Sequence, residues 1–293
     1  MIIPYGSEVL ITRWPFSNLA IMGGCIASFV VLLAGGFSPP VLEAMILDGW
    51  SPAGLFGHQF IHAGLLHLAF NMLYLFVFGN AVCDKIGNLT YAATFLLAGA
   101  VAGGLHIIMD GAPAVGASGA INAVIGLHLV LHPINRIHCF YFFFIRFGTF
   151  EIKGFWLILF WFLVDAWRAL SGAETGIAYW AHVGGFLFGF GLGLVYLRTG
   201  VATMSRHDNP TLLDYMTGLK RDGSRPRPAA TAEQAGGLAT HRAAATMAGH
   251  AAVTQDINLD CPHCAQNLDV PEEMMGEVFS CPACAGVIQL EEE

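Results

Sequence analysis

The sequence is poor in charged residues. Asp, Glu, Lys and Arg make up only 12% of the 293 residues, whereas hydrophobic residues make up 55% and the mean hydropathy is +0.61. So few charges cannot cover the surface of a water-soluble protein of this length, and the composition therefore indicates a polytopic membrane protein. The sequence also lacks a basic surplus, with 13 Lys and Arg against 21 Asp and Glu. A nucleic-acid partner is therefore not expected.

A short, cleavable signal peptide is not expected either. Arg13 precedes an apolar run that is longer than the hydrophobic region of a signal peptide, so this run is interpreted as a first membrane span. Runs of about 17 to 25 apolar residues cross a bilayer as helices. We predict an all-α bundle of six transmembrane helices, at residues 18–35, 65–82, 89–109, 115–131, 154–170 and 177–197. The fourth run is short and contains glycine, which favours a helix surrounded by other helices.

The positive residues predict the orientation of the bundle. With six spans, seven of them fall on one side: Arg13, Lys85, Arg136, Arg146, Lys153, Arg198 and Arg206. Only Arg168 lies near the other side, so both termini are expected in the cytoplasm.

Three stretches outside the spans have a character of their own. The long outer loop, 37–64, carries aromatic residues suited to the headgroup region. The inner connection, 136–153, is compatible with a hairpin or an interfacial helix, and the sequence does not decide between them. We expect a membrane domain at 1–200 and a flexible linker at 201–256, with a short helix near 210–219.

Three spans contain polar side chains within apolar runs, which is costly in hydrocarbon and suggests a shared site. Ser118 lies among small residues early in span four, His67 and Asn71 share a face of span two, and His182 lies in span six. If these spans enter from the same face, the side chains meet at a similar depth in the outer part of the membrane. Asp165 is the one acidic candidate for a third catalytic member. Its position shows no evident link to His182, so a dyad is expected.

Each group also has a structural interpretation. The segment 116–120 is also compatible with close helix packing through small residues. His182 could be a buried histidine that is hydrogen-bonded to a carbonyl group, and His67 and Asn71 could form hydrogen bonds between helices. The catalytic interpretation gives Ser118 a helix N-terminus that stabilises an oxyanion.

Taken together, these motifs resemble the rhomboid family of intramembrane serine proteases. The resemblance covers about 51–197 and includes the family's GxSG and AHxxG forms, at 116–119 and 181–185, and an ordered set of polar residues in the second-span region: His58, His62, His67 and Asn71. It implies Ser118 as nucleophile and His182 as general base, with no cofactor for catalysis. The implied oxyanion hole consists of His67, Asn71 and the Ser118 amide, supported by Gly116, Gly119, His58 and His62.

The same resemblance implies a lateral gate and substrates that are themselves membrane-spanning proteins, cut near the outer face. We accordingly expect a multi-pass protein of a bacterial inner membrane. One departure concerns Asn122, where many relatives have an aromatic residue that packs on the catalytic histidine. Orientation of the histidine is then expected to depend on a hydrogen bond or another aromatic, such as Tyr179.

Two other interpretations concern the histidines and the overall function. His58 and His62 have the i, i+4 spacing of zinc-binding histidines, but Gln59 replaces the glutamate of HExxH and no third ligand is apparent. Shaping the loop and the water path is the favoured role for this pair. There are two alternative functions. One is a catalytically inactive rhomboid-like factor that binds membrane proteins, and the other is a histidine-lined transporter.

The cysteines divide into two groups. Cys25, Cys83 and Cys139 are scattered and are expected to be inert apolar residues. Two CPxC pairs near the C-terminus have the spacing of a four-cysteine zinc ribbon at 257–293, with the ligands Cys261, Cys264, Cys281 and Cys284. Paired redox motifs are the alternative. The ribbon's cytoplasmic partner is not identified by the sequence.

Overall fold

The computed structural model describes residues 2–143, 145–172, 175–205 and 208–218, together with four short strands between residues 256 and 289. The chain divides into two compact units, Met1–Pro226 and Arg227–Glu293.

The first unit is mostly helical. In chain order its helices are α1 (Phe16–Leu33), α2 (Pro39–Met45), α3 (Pro52–Gly57), α4 (Leu65–Tyr74), α5 (Asn80–Ile86), α6 (Asn88–Met109), α7 (Ser118–Leu131), α8 (Gly154–Leu170), α9 (Tyr179–Thr199) and α10 (Leu212–Thr217). A π-helical turn, Leu75–Gly79, joins α4 to α5 in one continuous segment.

Four helical segments are long and apolar enough to cross a membrane: α1, Leu65–Ile86, α6 and α9. The chain is therefore an integral multi-pass membrane protein. Each of the six predicted runs coincides with a helix, but α7 has 14 residues and α8 has 17. Beyond Ser118, every residue of α7 except Asn122 is buried. This explains how so short a helix is accommodated, because its ends are shielded by protein rather than lipid.

The sequence predicted an all-α fold, and this prediction is wrong. Three antiparallel strands, β1 (Ile2–Ser7), β2 (Arg136–Phe143) and β3 (Arg146–Lys153), form a sheet in the order β1-β2-β3. The connection between α7 and α8 is therefore a hairpin, and the N-terminal strand extends it. Ile137 and Cys139 are fully buried on one face of β2, in the same core as residues of α4, α7 and α8.

Helices α7 and α9 pack closely through glycines. A methyl group at Gly185 or Gly189 would collide with the carbonyl group of Gly119 or Ala123 across the interface. The glycines at every fourth position of α9 therefore allow the two backbones to approach. This packing brings the first turns of α7 and α9 next to each other.

The chain that follows α9 packs on the same unit. Thr203 N donates a hydrogen bond to Lys85 O, and Lys85 Nζ lies 2.9 Å from both Asp84 and Asp208. The predicted short helix is present as α10. The described residues from 201 to 218 thus belong to the first unit, whereas the linker was expected to begin at residue 201.

The second unit contains two antiparallel hairpins. Strand β4 (Asp256–Asp260) pairs with β5 (Asn267–Pro271), and β6 (Val278–Ser280) pairs with β7 (Val287–Gln289). In sequence, one CPxC pair falls between the strands of each hairpin. The predicted ligands Cys261, Cys264, Cys281 and Cys284 themselves lie outside the described residues.

Candidate active site

A cavity of about 1180 Å³ lies among α4, α7, α8 and α9. Among the polar side chains of these helices that line it are His67, Asn71, Ser118, Asp165 and His182. The polar positions on the second, fourth and sixth predicted spans therefore meet at one site. Their common depth was inferred from the sequence by counting residues along each span.

Ser118 is the first residue of α7, three residues later than the start of the predicted span. The N–H groups of a helix's first turn have no acceptor within the helix and lie at the positive end of its dipole. The preceding Gly116 has a φ of 120°, and a methyl group there would collide with the His67 ring. Its N–H donates to the carbonyl of His58 at 2.8 Å. A glycine is therefore required where the loop turns into the helix carrying the serine.

His182 lies in the first turn of α9 beside this serine. Its Nε2 is 2.9 Å from Ser118 Oγ. The Tyr179 ring meets the imidazole edge-on, with the centroids 6.1 Å apart. When the proton of a neutral imidazole is on Nδ1, Nε2 can accept a hydrogen bond from the serine hydroxyl. The pair is thus arranged as a hydroxyl and an adjacent base.

Asp165 occupies the other side of the imidazole, contrary to the sequence-based expectation. Its Oδ2 lies 2.9 Å from His182 Nδ1, so the expectation that Asp165 has no link to His182 is wrong. The two residues are 17 positions apart, and only the packing of α8 beside α9 brings them together. A carboxylate there accepts a hydrogen bond from Nδ1–H and leaves Nε2 free to face the serine. The predicted dyad is therefore part of a Ser-His-Asp arrangement.

The sequence analysis also missed the group of residues that surround Tyr179. The Tyr179 hydroxyl accepts hydrogen bonds from Arg168 Nη1 at 3.2 Å and Thr175 Oγ1 at 3.0 Å. The Arg168 guanidinium also lies over the tyrosine ring, 5.7 Å from its centroid. One signal was available: charged residues inside an apolar helix are expensive and usually functional, and Asp165 and Arg168 both lie in α8.

His67 and Asn71 line the cavity on the α4 side. Asn71 Nδ2 donates to the His67 carbonyl at 2.8 Å, which holds the amide along its own helix. The His67 ring lies against Gly116, close to the N-terminus of α7. An asparagine amide has two N–H bonds, and a neutral imidazole has one. Both side chains therefore place hydrogen-bond donors near Ser118.

His58 and His62 are buried residues of the segment that leads into α4. His58 Nδ1 donates to Gly54 O at 2.8 Å, and burial lowers the pKa of this imidazole. Burial, with the nearby His67 second, lowers the pKa of His62 to about 4. Among the described residues, no group of three His, Cys, Asp or Glu side chains is placed to hold a metal ion. Within the part of the chain that the structure describes, the pair therefore has no third ligand of the kind that the zinc-binding interpretation needs.

Asn122 contacts the serine rather than the histidine. Its Nδ2 donates to the Ser118 carbonyl at 3.0 Å, within the first turns of α7. A hydrogen bond from His182 Nδ1 to Asp165 and an edge contact with Tyr179 instead fix the orientation of the His182 ring. These are the two kinds of support that the sequence suggested in place of the missing aromatic residue.

Comparison with known proteins agrees with this geometry. The family model described as "Rhomboid domain" matches residues 49–199, just over half of the chain. The chain is 25% identical to the rhomboid protease GlpG of Haemophilus influenzae over 140 residues, which are 47% of this chain and 66% of that protein. It is 26% identical over 202 residues to the GlpG of Klebsiella pneumoniae, covering 66% of this chain and 67% of that one.

A plant relative is matched over a smaller part of its length. The chain is 30% identical to the chloroplastic RHOMBOID-like protein 9 of Arabidopsis thaliana over 130 residues, 41% of this chain and 29% of that protein. The chain thus spans less than two thirds of the lengths of the Haemophilus and Arabidopsis relatives. The matched region contains all of the polar cavity residues described above. The chain belongs to the rhomboid family.

Proposed function

We propose that this protein is an intramembrane serine endopeptidase that cleaves membrane-spanning proteins near the membrane face at which Ser118 lies. The observation that carries the proposal is the continuous contact from Ser118 Oγ to His182 Nε2 and from His182 Nδ1 to Asp165 Oδ2, at 2.9 Å each. A nucleophile, a base and a group that orients the base are the parts required for acyl transfer.

The reaction begins with attack of Ser118 Oγ on the scissile carbonyl carbon. His182 Nε2 takes the hydroxyl proton as the new bond forms, and the carboxylate of Asp165 stabilises the imidazolium that results. The imidazolium then gives its proton to the leaving amine as the peptide bond breaks. Water hydrolyses the acyl-enzyme by the same steps, with His182 again as the base.

The negative oxygen of the tetrahedral intermediate lies in the space between α4 and the first turn of α7. The Ser118 amide, the remaining N–H of Asn71 and the His67 ring are the proposed donors. Donors fixed in advance at a site of low dielectric stabilise such an oxyanion strongly, and losing one typically costs about 10²- to 10³-fold in kcat.

A catalytically inactive factor that binds membrane proteins is the other candidate. Such a protein has no need for a hydrogen-bonded serine, histidine and aspartate in a cavity, whereas a protease requires them. The histidine-lined transporter is disfavoured because the polar cavity residues cluster at the Ser118 end of α7.

The test uses purified full-length protein in liposomes with a model transmembrane substrate. Ser118→Ala and His182→Ala should each lower kcat by about 10³-fold or more. Ser38→Ala, an exposed serine before α2, is the matched control and should leave the rate unchanged. Cleavage that survives Ser118→Ala would exclude the mechanism, and substrate capture without cleavage by the wild type would favour the binding factor.

The proposed topology has six spans and cytoplasmic termini in a bacterial inner membrane. Besides the four membrane-length helices, α7 and α8 would be the fourth and fifth spans, enclosed by or packed beside the others. The concentration of Lys and Arg on one side of such a bundle supports the orientation. Accessibility of an epitope at each terminus, in spheroplasts and in inverted vesicles, tests it.

The C-terminal unit is proposed to be a zinc ribbon that binds an unidentified cytoplasmic partner. The unit has two hairpins, and in the sequence a CPxC pair lies between the two strands of each hairpin. This arrangement fits the two knuckles of a zinc ribbon. Zinc there would be structural and would take no part in peptide cleavage. Purified wild type should contain about one zinc ion per chain, and the Cys261→Ser/Cys281→Ser variant much less. Equal zinc contents would refute the ribbon.

A further inference from the structure

The sheet β1-β2-β3 changes character along its length. At its base, where β2 begins and β3 ends, one face is polar: Glu151 lies 3.1 Å from Arg136 Nη1 and 3.2 Å from His138 Nδ1. The opposite face carries Ile137 and Cys139, which are fully buried in the core. A sheet with one apolar face on protein and one polar face outward is typical of contact with water.

Towards the hairpin's end this alternation stops. Phe142 is 49% exposed, Phe143 66%, Ile145 91% and Phe147 69%. Successive residues of a strand point to opposite faces, so Phe142 and Phe143 make both faces of the sheet apolar there. We call these four side chains the aromatic tip. In water they would leave a contiguous apolar surface, which folded proteins rarely expose without a partner.

The bilayer is the partner that the surroundings of the tip favour. Strand β3 leads directly into α8 at Gly154, and the exposed side chains of α8 near this junction include Trp156 and Phe160, at 60% and 56%. In an integral membrane protein such an apolar helix surface faces lipid, so the base of the sheet lies beside the bilayer. The aromatic tip is at the opposite end of β3, and the bilayer is the apolar phase beside which the sheet stands. Phenylalanines beside an arginine also suit the headgroup boundary, because the Arg146 guanidinium can reach a lipid phosphate.

A second copy of the chain is a less suitable occupant. Strand β3 forms one edge of the sheet, and edges are open to pairing with another chain. This edge carries Glu151 and Lys153, charged residues of the kind that prevent such pairing.

We propose that the aromatic tip inserts shallowly into the leaflet remote from Ser118, with Arg146 at the level of the phosphates. The location follows from the fold, because α7 runs from Ser118 to Leu131 and the sheet begins after its far end. The sheet is thereby anchored at two places, in the protein core at its base and in lipid at its tip. The proposal is independent of whether the protein is a protease.

Cysteine accessibility gives a direct test. Ile145→Cys and Lys153→Cys are compared in full-length protein reconstituted in liposomes of phosphatidylethanolamine and phosphatidylglycerol. A charged, water-soluble maleimide is added to the side that bears the sheet, and each site is quantified by peptide mass spectrometry. This separates the new thiols from the native cysteines. Lys153 is exposed at the base of the sheet and is the matched control.

Ile145→Cys should react about tenfold more slowly than Lys153→Cys in liposomes. The free energy gained by burying several large apolar side chains in lipid is larger than the free energy that corresponds to a tenfold change in an equilibrium, so the tip should be in contact with water for less than a tenth of the time. The two sites should react equally after denaturation in detergent. Equal rates in intact liposomes would place the tip in water and overturn the proposal.

Photo-crosslinking identifies what covers the tip. Benzoylphenylalanine at position 145 should yield lipid adducts in the same liposomes, whereas the same probe at position 153 should yield few. Adducts to a second copy of the chain, or to another protein when the experiment is repeated in native membranes, in place of lipid adducts would show that protein covers the tip.

Discussion

His182 has a hydrogen-bond partner on each ring nitrogen. Ser118 lies on one side and Asp165 on the other, and both contacts measure 2.9 Å. An imidazole in this position is fixed in one orientation and one tautomer, which is what a general base beside a serine requires. In the proposed mechanism Asp165 is therefore a positioning residue that acts through the histidine.

Replacing Asp165 with asparagine should preserve the cavity and lower activity. An amide can hold the wrong tautomer of His182 and cannot stabilise the imidazolium, so kcat should fall by about 10²-fold or more with KM little changed. Asp48→Asn, on an exposed loop, is the control. An unchanged kcat would assign Asp165 a structural role only.

His62 makes stability depend on pH. Its pKa falls from 6.5 to about 4 because the folded protein buries the ring beside His67. The folded state thus binds fewer protons than the unfolded state between these pH values, so stability is full above pH 6.5 and is lost as the pH falls towards 4. The loss from this residue should be about 3 kcal/mol.

Thermal unfolding in bicelles at pH 8 and pH 4.5 measures this effect. The wild type should lose more stability between the two conditions than His62→Gln, which has no group to titrate at this position. Each protein serves as its own reference at pH 8, so a general cost of the substitution does not affect the comparison. Parallel pH dependence in the two proteins would contradict the assignment.

The packing of α9 on α7 depends on the absence of side chains at a few positions. Gly189 faces the Ala123 carbonyl so closely that a methyl group cannot be accommodated, whereas Gly191 on the same helix has no neighbour within 4 Å. Because Ser118 begins α7 and His182 lies near the start of α9, this interface also determines the distance between the two proposed catalytic groups.

Gly189→Ala should therefore destabilise the protein and separate its catalytic pair. Overpacking of this kind costs about 2 kcal/mol or more, and a small shift between α7 and α9 should lower kcat further. Gly191→Ala, the matched control, should leave stability unchanged or slightly higher, since alanine favours helix. The unfolding midpoint and kcat of the two variants provide the measurement. Equal effects would show that the glycines act through helix propensity rather than through packing.

The connection between α7 and α8 shows what sequence patterns leave undecided about an element. The stretch 136–153 is rich in aromatic residues, and its alternation is clear only in the base half of the sheet, where Ile137 and Cys139 are buried. In the tip half both faces are apolar, so the period of two disappears and an interfacial helix fits equally well. Pairing with β1, more than 120 residues earlier in the chain, completes the sheet.

A buried ion network joins distant parts of the membrane unit. Lys85 lies between Asp84 and Asp208, and the side chains of all three are at least 94% buried. Asp84 also accepts hydrogen bonds from the backbone N–H groups of Thr12 and Arg13. The network thus connects the N-terminal segment, the end of α5 and the chain that follows α9.

The network predicts unequal effects of two substitutions. Lys85→Met should cost about 3–5 kcal/mol of stability, because it leaves two buried carboxylates without a cation. Asp208→Asn should cost clearly less, since Lys85 keeps Asp84 as a partner at 2.9 Å. Unfolding midpoints of both variants in the same bicelles compare the two costs. If Asp208→Asn proved as damaging as Lys85→Met, the simple charge balance of this network would be incorrect.

The sequence alone determined the membrane character, the helical runs and most of the polar residues of the site. Composition and runs of apolar residues are local properties, and Ser118, His67, Asn71 and His182 were conspicuous because polar groups in hydrocarbon are costly. The counting of residues along each span even gave their common depth. The contact of Asp165 with His182, the sheet and the buried Lys85 network were decided only by the tertiary structure. Each joins residues on different elements, and the packing that brings them together leaves no local pattern in the sequence.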